Sequence, residues 1–288
     1  MIVVTGATGQ LGSQIVENLL TRIPADTVGV SVRDTAKAAS LAQRGVRVRG
    51  GDFTDPKTLE HGFEGADQVL VVSAAIRGGD AVTANIAAID AAHAEGAKRI
   101  LYTSHQAASK SSLFSPAVTH AATEEHLQQL GVAFTALRHG FYATTLGYYI
   151  GGALETGRFH VPENGPVSWT THADLAENAA TALTVDGLLD GITAPLTAPE
   201  MLNFTDVADI LSDMTGRAIE CVTVTDEAWK TAAVERGMPA PAADFSLGMF
   251  RAARGGEFAV TDPQLETVIG HQPRSARSVL ETIISKSR

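Results

Sequence analysis

The stretch that decides the fold is Ile2-Val3-Val4-Thr5-Gly6-Ala7-Thr8-Gly9-Gln10-Leu11-Gly12. Its apolar beginning, residues 2–4, predicts a short buried β-strand. Leu11, Ile15 and Leu19 then recur at helical spacing, so a helix is expected after the glycines. Strand, glycine-rich turn and helix, in this order, are the context that a dinucleotide-binding motif requires.

Each glycine of the motif has a physical role. Gly6 permits a sharp turn off the strand, Gly9 lets the backbone approach a pyrophosphate, and Gly12 lets the helix lie against the sheet. The free N–H groups and the dipole at the helix start suit phosphate. The spacing is G-x-x-G-x-x-G, and the alternative is a turn that binds nothing. The predicted cofactor contacts in this stretch are Gly6, Thr8, Gly9, Gln10, Leu11 and Gly12.

Composition sets the outer bounds of the interpretation. The 288 residues, 44% of them hydrophobic, are enough for one large domain or for a domain with a smaller lobe. No apolar run approaches the ~20 residues that span a bilayer, and the early first strand leaves no room for a signal region. Cys221 is the single cysteine, which fits a reducing cytoplasm. The net charge of −10 argues against nonspecific nucleic-acid binding. We expect a cytoplasmic monomer or homodimer with no membrane or nucleic-acid partner.

Predicted strands alternate with predicted helices five times before residue 105. This order predicts an α/β fold with a doubly wound parallel sheet, in which ligands bind outside the carboxyl ends of the strands. We assign residues 1–150 to a dinucleotide-binding domain whose sheet is completed by later segments. Beyond Gly151 the strict alternation stops, and residues 151–288 are predicted to form mainly a smaller α+β substrate lobe.

Arg33 stands at the tip of the second predicted strand, where an NAD-binding fold would place an acidic side chain. A guanidinium there can bind a 2′-phosphate through two hydrogen bonds, which favours NADPH and leaves NADH as the alternative cofactor. An ordinary exposed arginine is the other interpretation. Asp52 and Phe53 follow the third predicted strand, where the adenine would lie, although a turn leading into the next helix explains them nearly as well.

Small residues follow the fourth predicted strand at Ser73, Ala74 and Ala75. They would permit close approach of the cofactor, and they are also common in ordinary loops. Ser104 and His105 follow the fifth predicted strand, so Ser104 is a further predicted cofactor contact. In ordinary short-chain dehydrogenases this region supplies Ser and Tyr-x-x-x-Lys, and the chain has no Tyr-x-x-x-Lys.

His120 lies about where that lysine would be, with Glu124 one turn further on the same helix face. An imidazole there can bind the nicotinamide ribose or relay a proton near neutral pH. The alternative is a histidine on the helix surface. His105, at a strand tip, is the second catalytic candidate. No histidines or carboxylates show a convincing metal-binding spacing, so no metal is predicted.

Aromatic side chains crowd the segment after the sixth predicted strand, at Phe141, Tyr142, Tyr148 and Tyr149. One interpretation is core packing at the domain junction. The other is a flat apolar wall for an aromatic acceptor, with the hydroxyl of Tyr142 free to donate. Phe159 and Trp169 are expected to extend this wall, and Met249 is expected either to close the cleft from above or to fill the lobe core.

Several motifs together resemble the NmrA-like atypical short-chain dehydrogenases: residues 6–12, 32–34, 51–53, 120–124 and 137–142. Within this family the chain is most similar to the bacterial type 2 NAD(P)H:quinone oxidoreductases and triphenylmethane reductases. The resemblance implies a Rossmann domain with a small C-terminal lobe, NADPH held through Arg33, and direct hydride transfer without flavin. The chain departs from its relatives at His105 and His139, so its acceptor can differ from theirs.

The function that we predict is hydride transfer from NADPH to a small conjugated acceptor, foremost a quinone. A quinone delocalises the developing oxyanion, so the missing Tyr-x-x-x-Lys is tolerable, whereas a simple ketone needs a positioned proton donor. The alternatives are another acceptor, such as a triarylmethane dye, an imine or an activated alkene or carbonyl, and a regulator that senses NADP(H) without turnover.

Overall fold

The computed structural model describes residues 1–74 and 79–286. Its strands are β1 (Ile2–Thr5), β2 (Val28–Val32), β3 (Arg47–Gly50), β4 (Gln68–Val71), β5 (Arg99–His105), β6 (Ala133–His139), β7 (Phe141–Tyr142), β8 (Arg158–Pro162), β9 (Trp169–Thr170), β10 (Gly191–Ile192) and β11 (Glu220–Val224). Short 3₁₀ helices span Ala25–Thr27, Thr35–Ala38 and Ala143–Thr145. The α-helices are α1 (Gln10–Leu20), α2 (Ala39–Gln43), α3 (Pro56–Phe63), α4 (Gly79–Ala94), α5 (Ser115–Gln129), α6 (Leu146–Tyr149), α7 (Ala153–Thr156), α8 (His172–Thr184), α9 (Phe204–Thr215), α10 (Asp226–Glu235), α11 (Ala240–Arg254), α12 (Gln264–Ile269) and α13 (Ala276–Lys286).

A seven-stranded parallel sheet forms the centre of the structure, in the order β10-β6-β5-β4-β1-β2-β3. The strand order reverses between β1 and β4, so the carboxyl ends of these strands face the crevice where doubly wound folds bind ligands. The prediction of a doubly wound α/β fold is confirmed. The seventh strand, β10, comes from the later part of the chain and pairs with β6.

Two glycines of the first turn allow α1 to lie close to β1. Gly6 has a φ of 62°, in the left-handed region that other residues rarely adopt. At Gly12, an added Cβ would overlap the carbonyl oxygen of Gly6, which is rigid backbone. Any larger residue at position 12 would therefore push the helix away from the strand.

Several predicted boundaries shift in the structure. Helix α1 was expected after the glycines, and it begins at Gln10, before the last glycine of the motif. Strand β5 continues to His105, because it pairs with β6 from Arg99 opposite Ala133 to His105 opposite His139. Ser104 and His105 therefore lie within the strand rather than in the loop after it.

The return of the chain to the sheet depends on α8, which packs against α1. Leu175, Ala179 and Leu183 are buried in the same cluster as Ile15 and Leu19 of α1. The N-terminus of α8 is capped by Thr171, whose hydroxyl accepts from the backbone N–H of Asp174. The buried Asp174 carboxylate in turn accepts hydrogen bonds from the backbone and guanidinium of Arg274, which fastens the C-terminal segment to α8.

A second buried cluster lies beyond the carboxyl edge of the sheet. It is formed by α9, α10, α11 and α13 together with the parallel pairs β8–β11 and β7–β9. Trp169, Phe204 and Phe250 are among its fully buried side chains and pack edge to face or tilted. Asn203 caps α9, in a capping box with Asp206.

Glu124 joins α5 to the sheet. Its carboxylate, with 4% of the side chain exposed, accepts two hydrogen bonds from the Arg138 guanidinium on β6, at 2.9 and 2.6 Å. The hydroxyl of Ser104 on β5 donates to the same carboxylate at 2.6 Å. A buried charge satisfied in this way is costly to disturb, because removing one partner leaves the other unpaired.

Among the helices of the described residues, none is both long and apolar enough to cross a membrane.

We expect Glu124→Ala to lower the free energy of unfolding by about 3–5 kcal/mol, since it leaves the Arg138 guanidinium unpaired against the sheet. Glu125→Ala is the matched control, because within the described residues Glu125 pairs with the exposed Lys110 alone. Its loss should cost less than about 1 kcal/mol. Urea unfolding of both variants measures the difference. Equal losses would show that the Glu124 ion pair does not fasten α5.

Candidate functional site

The glycine turn after β1 is open to a ligand. Gly6, Thr8, Gly9 and Gln10 are exposed, whereas Leu11 is buried beneath the helix. Gly9 is the N-cap of α1 and supplies no side-chain cap to the first N–H groups of the helix. Helix N-termini of this kind bind anions through these N–H groups and the helix dipole. The turn therefore fits the pyrophosphate of a dinucleotide, and the contacts predicted there stay predictions.

Arg33 directly follows β2 and is exposed. Its guanidinium makes no hydrogen bond or ion pair with any residue in the ranges 1–74 and 79–286, so its donors are available to an anion. Two hydrogen bonds from Thr54 are the main reason that the pKa of Asp52 is lowered, with a smaller contribution from Arg33. The N–H donors and the positive charge of the Arg33 guanidinium fit a 2′-phosphate at this edge of the sheet.

Asp52 and Phe53 lie where the interpretation as a turn leading into α3 placed them. One oxygen of Asp52, Oδ1, accepts from both the N–H and the hydroxyl of Thr54. The ring of Phe53 packs partly against the buried cluster that covers the other face of the sheet. Their predicted contact with adenine stays a prediction.

The segment after β4 is held by hydrogen bonds from its backbone. The N–H of Ser73 donates to the Thr103 hydroxyl at 2.8 Å, and the N–H of Ala74 donates to Oδ1 of Asn85 at 2.8 Å. Ala75, the third predicted residue here, lies outside the described residues. This part of the crevice wall is therefore tied to β5 and α4.

A cavity of about 420 Å³ lies at the carboxyl ends of β4, β5 and β6 and is covered by α11. Its volume is within the ~300–1,000 Å³ typical of small-molecule sites. Most of the exposed lining surface is apolar, and the polar atoms belong to histidine, serine, threonine and tyrosine side chains. The predicted residues that line it are Ser73, Ser104, His105, His120, Phe141, Tyr142, Tyr148, Tyr149 and Met249.

His105 and His120 lie side by side in the cavity wall. Their rings are stacked with centroids 6.0 Å apart and planes 17° from parallel. Phe114, Phe141 and Phe258 surround His105, each with its ring centroid 5.6–5.7 Å away. Burial lowers the pKa of His105 to about 3 and the pKa of His120 to about 4, so both imidazoles are neutral at pH 7.

His120 is not the surface histidine of the alternative interpretation. Its Nδ1 lies 2.7 Å from the hydroxyl of Tyr102, which is fully buried on β5. Burial raises the pKa of Tyr102 well above its usual value. The His120 ring is therefore oriented by a neutral phenol and lines the cavity.

Two further histidines lie behind this pair. His139 is 1% exposed, lines the cavity, and neither of its ring nitrogens has a hydrogen-bond partner among the described residues. Burial lowers its pKa to about 3, and neighbouring His172 contributes less. The ring of Tyr142 packs on His172 with centroids 4.2 Å apart, and burial raises the pKa of Tyr142 to about 12.

The predicted aromatic wall is present only in part. Phe141 and Tyr142 line the cavity from within, whereas Tyr148 lines its mouth and is 84% exposed. Tyr149 reaches both the cavity and the lobe core, where its ring meets Phe250. The expectation for Phe159 and Trp169 is wrong, because neither lines the cavity and both are buried in the core of the second cluster.

Sequence reasoning missed three residues that shape the site. Tyr102 orients His120, Asn85 bonds Tyr102, and Arg138 neutralises Glu124. Asn85 had a detectable signal, because it lies one helical turn before Ile89 on the apolar face of α4. Nothing in the local pattern links Tyr102 to residue 120. Ser104 is predicted as a cofactor contact, and its hydroxyl is already bonded to Glu124.

Within the ranges 1–74 and 79–286, no group of three or more His, Cys, Asp or Glu side chains could hold a metal ion.

The chain is similar to several known proteins over nearly its whole length. It is 34% identical over 246 residues to an NAD(P)H azoreductase of Xenophilus azovorans, covering 85% of this chain and 84% of that protein. The structure of an NADPH-dependent quinone oxidoreductase of Escherichia coli complexed with NADPH superposes with a TM-score of 0.91, at 29% identity and 100% coverage of both chains. The NADP(H) complex of the Citrobacter sp. triphenylmethane reductase also gives a TM-score of 0.91, at 29% identity, covering 98% of this chain and 100% of that chain.

The resemblance predicted from the glycine turn and the later motifs is confirmed by these similarities. The sequence model that describes the NmrA-like family matches residues 1–278. The chain therefore belongs to the NmrA-like family.

Proposed function

We propose that the chain is an NADPH-dependent reductase that transfers a hydride directly, without flavin, to a small conjugated acceptor, foremost a quinone. The observation that carries the proposal is that the open glycine turn, the Arg33 guanidinium and the cavity all lie at the carboxyl ends of neighbouring strands. These strands are β2, β1, β4, β5 and β6 of one parallel sheet. A nucleotide binding along this edge would direct its far end toward His105 and His120.

The proposed cofactor supplies the hydride when it is bound. The chain's own part is to bind the pyrophosphate at the start of α1, to attract the 2′-phosphate with Arg33, and to enclose the reacting end. Two family members of known structure were solved with NADP(H) or NADPH, which supports this choice. NADH is the weaker alternative, because it lacks the 2′-phosphate that Arg33 would bind.

The acceptor site favours a flat, conjugated molecule. Aromatic rings and Met249 enclose the cavity, and its histidines are neutral, so it provides hydrogen-bond donors but no strong acid. Reduction of a quinone spreads negative charge over a conjugated oxygen and needs little acid catalysis. Positioning of the two reactants is then the main contribution of the protein.

Two other functions are alternatives to this one. An azo compound or a triarylmethane dye is a second acceptor class, favoured by the names of relatives at 34% and 29% identity. A regulator that senses NADP(H) without turnover is the non-enzyme alternative. The convergence of His105, Tyr142 and Met249 on one cavity favours an enzyme, because a sensor has no need of an acceptor site.

The setting of the protein is part of the proposal. A cytoplasmic location is supported by the single cysteine, Cys221, which is free. We place the substrate lobe mainly within residues 151–288 and the dinucleotide-binding domain mainly within residues 1–150, and we expect a monomer or homodimer. The partners we expect are a pyridine nucleotide and a small aromatic or conjugated substrate.

Oxidation of NADPH by the purified chain is expected with quinones and not with simple ketones, because the site holds no strong acid to protonate an isolated alkoxide. Absorbance of the reduced nicotinamide, followed with a panel of quinones, azo compounds, cationic dyes and ketones, measures this preference. Tight NADPH binding with no turnover of any acceptor would favour the sensor instead.

Arg33→Ala should weaken binding of NADPH by roughly 1.5–3 kcal/mol while leaving NADH little changed, because only NADPH carries the 2′-phosphate. Fluorescence titration with both nucleotides measures the two affinities. Arg44→Ala, which breaks a surface pair with Glu17, is the matched control. Equal losses for both nucleotides would remove Arg33 from the phosphate site.

Acid should destabilise the protein as the pH falls from 6.5 toward about 4. His105, His120 and His139 stay neutral when folded but take up protons when unfolded, so the stability they contribute is present above 6.5 and lost below it. At about pH 5 the loss should be about 1–2 kcal/mol per histidine. Urea midpoints at pH 7 and pH 5 measure the loss, which should shrink in His139→Asn; an unchanged pH dependence in that variant would contradict the assignment.

A further inference from the structure

A chain of three hydrogen bonds runs from the segment after β4 to His120. The backbone N–H of Ala74 lies 2.8 Å from Oδ1 of Asn85. Nδ2 of Asn85 lies 3.1 Å from the hydroxyl of Tyr102, and that hydroxyl lies 2.7 Å from Nδ1 of His120. Asn85 and Tyr102 are 1% and 0% exposed, so water does not compete for these bonds.

The direction of each bond follows from its fixed end. A backbone N–H can only donate, so the Asn85 amide must present its oxygen to Ala74 and its NH₂ group to Tyr102. The Tyr102 oxygen accepts from that NH₂ group. The Thr123 hydroxyl also interacts with the phenol, but it donates its own proton to the carbonyl of Thr119. We assign the remaining proton of Tyr102 to its shortest contact, the 2.7 Å approach to Nδ1 of His120.

We propose that Asn85 and Tyr102 are positioning residues that hold His120 in the Nε2–H tautomer, so that the cavity presents a neutral N–H donor to a lone pair of the acceptor. The substrate class named here rests on the function proposed above; the tautomer itself does not. Since Nδ1 accepts from Tyr102, the single proton of the neutral ring is on Nε2.

The surroundings of His120 agree with this role. Its Nε2 has no hydrogen-bond partner in the described part of the chain, and the residue lines the cavity and is partly exposed there. Burial lowers the pKa of His120 to about 4 and raises that of Tyr102 above its usual range. His120 therefore donates a hydrogen bond, and Tyr102 retains its own proton.

This donor separates the acceptor classes. A quinone oxygen or an azo nitrogen offers a lone pair next to the reacting centre, and negative charge grows on that atom during reduction. The central carbon of a cationic triarylmethane dye takes the hydride with no lone pair on the reacting atom. His120 should therefore assist reduction of a quinone or azo compound and contribute little to reduction of the dye.

His105 provides an internal control. Its Nδ1 lies 3.1 Å from the backbone N–H of Ala107, which can only donate, so His105 also carries its proton on Nε2. This bond does not involve Tyr102 or Asn85. A change at Tyr102 should therefore alter the tautomer of His120 and leave that of His105 unchanged.

Nitrogen NMR of the ¹⁵N-labelled full chain at neutral pH tests the tautomer directly, with His120→Gln used to assign the signal. We expect a protonated Nε2 and an unprotonated Nδ1 at His120. In Tyr102→Phe we expect a growing population of Nδ1–H at His120, with the His105 signals unchanged. Nδ1–H at His120 in the unaltered protein would overturn the proposal, whether or not any variant folds.

Turnover of a quinone and a cationic dye by the same preparations tests the consequence. In Tyr102→Phe, kcat with the quinone should fall relative to kcat with the dye by roughly 3- to 10-fold. Asn85→Ala should give a smaller change in the same direction. Equal losses with both acceptors would indicate a merely structural role and overturn the proposal. No turnover of any acceptor by the unaltered chain would defeat the proposed function, while the NMR result would still decide the tautomer.

Discussion

The close approach of α1 to β1 is the constraint on which the rest of the structure depends. It is possible only because position 12 has no Cβ, so the helix backbone can rest against the carbonyl of Gly6. That approach exposes the first N–H groups of α1 at the sheet edge. It also sets the position of α8, which packs on α1 and brings β10 back to the sheet. The nucleotide-binding turn and the closure of the sheet therefore both depend on the close contact between α1 and β1.

The parts of the structure that could be predicted are those written in local patterns. Apolar runs such as residues 68–72 and the 3-and-4 spacing of Leu11, Ile15 and Leu19 report on strands and helices directly, because their periods differ. The glycine turn could be predicted as well, since backbone demands limit which residues can stand there. These patterns also identified which loops would meet at the carboxyl edge of the sheet.

The chemistry of the cavity could not be predicted in the same way. Whether a histidine is neutral depends on burial by distant segments, and His105 is enclosed by Phe114, Phe141 and Phe258, the last more than 150 residues away. Glu124 appeared to be a helix-face residue, yet it is buried because Arg138 and Ser104 meet it across two strands. The burial of Phe159 and Trp169 in the second cluster could not be predicted either. The local sequence does not show which distant side chains an aromatic residue on a short strand will meet.

The route of the chain has a consequence for engineering. After entering the second cluster, the polypeptide leaves it for α8 and β10, returns for α9, α10 and α11, and leaves again at α12 before α13. The cap over the cavity is therefore assembled from several separate pieces of the polypeptide. Recombination with a relative cannot transplant it as one cassette, so altered specificity must come from point changes in the lining or from exchanging several junctions together.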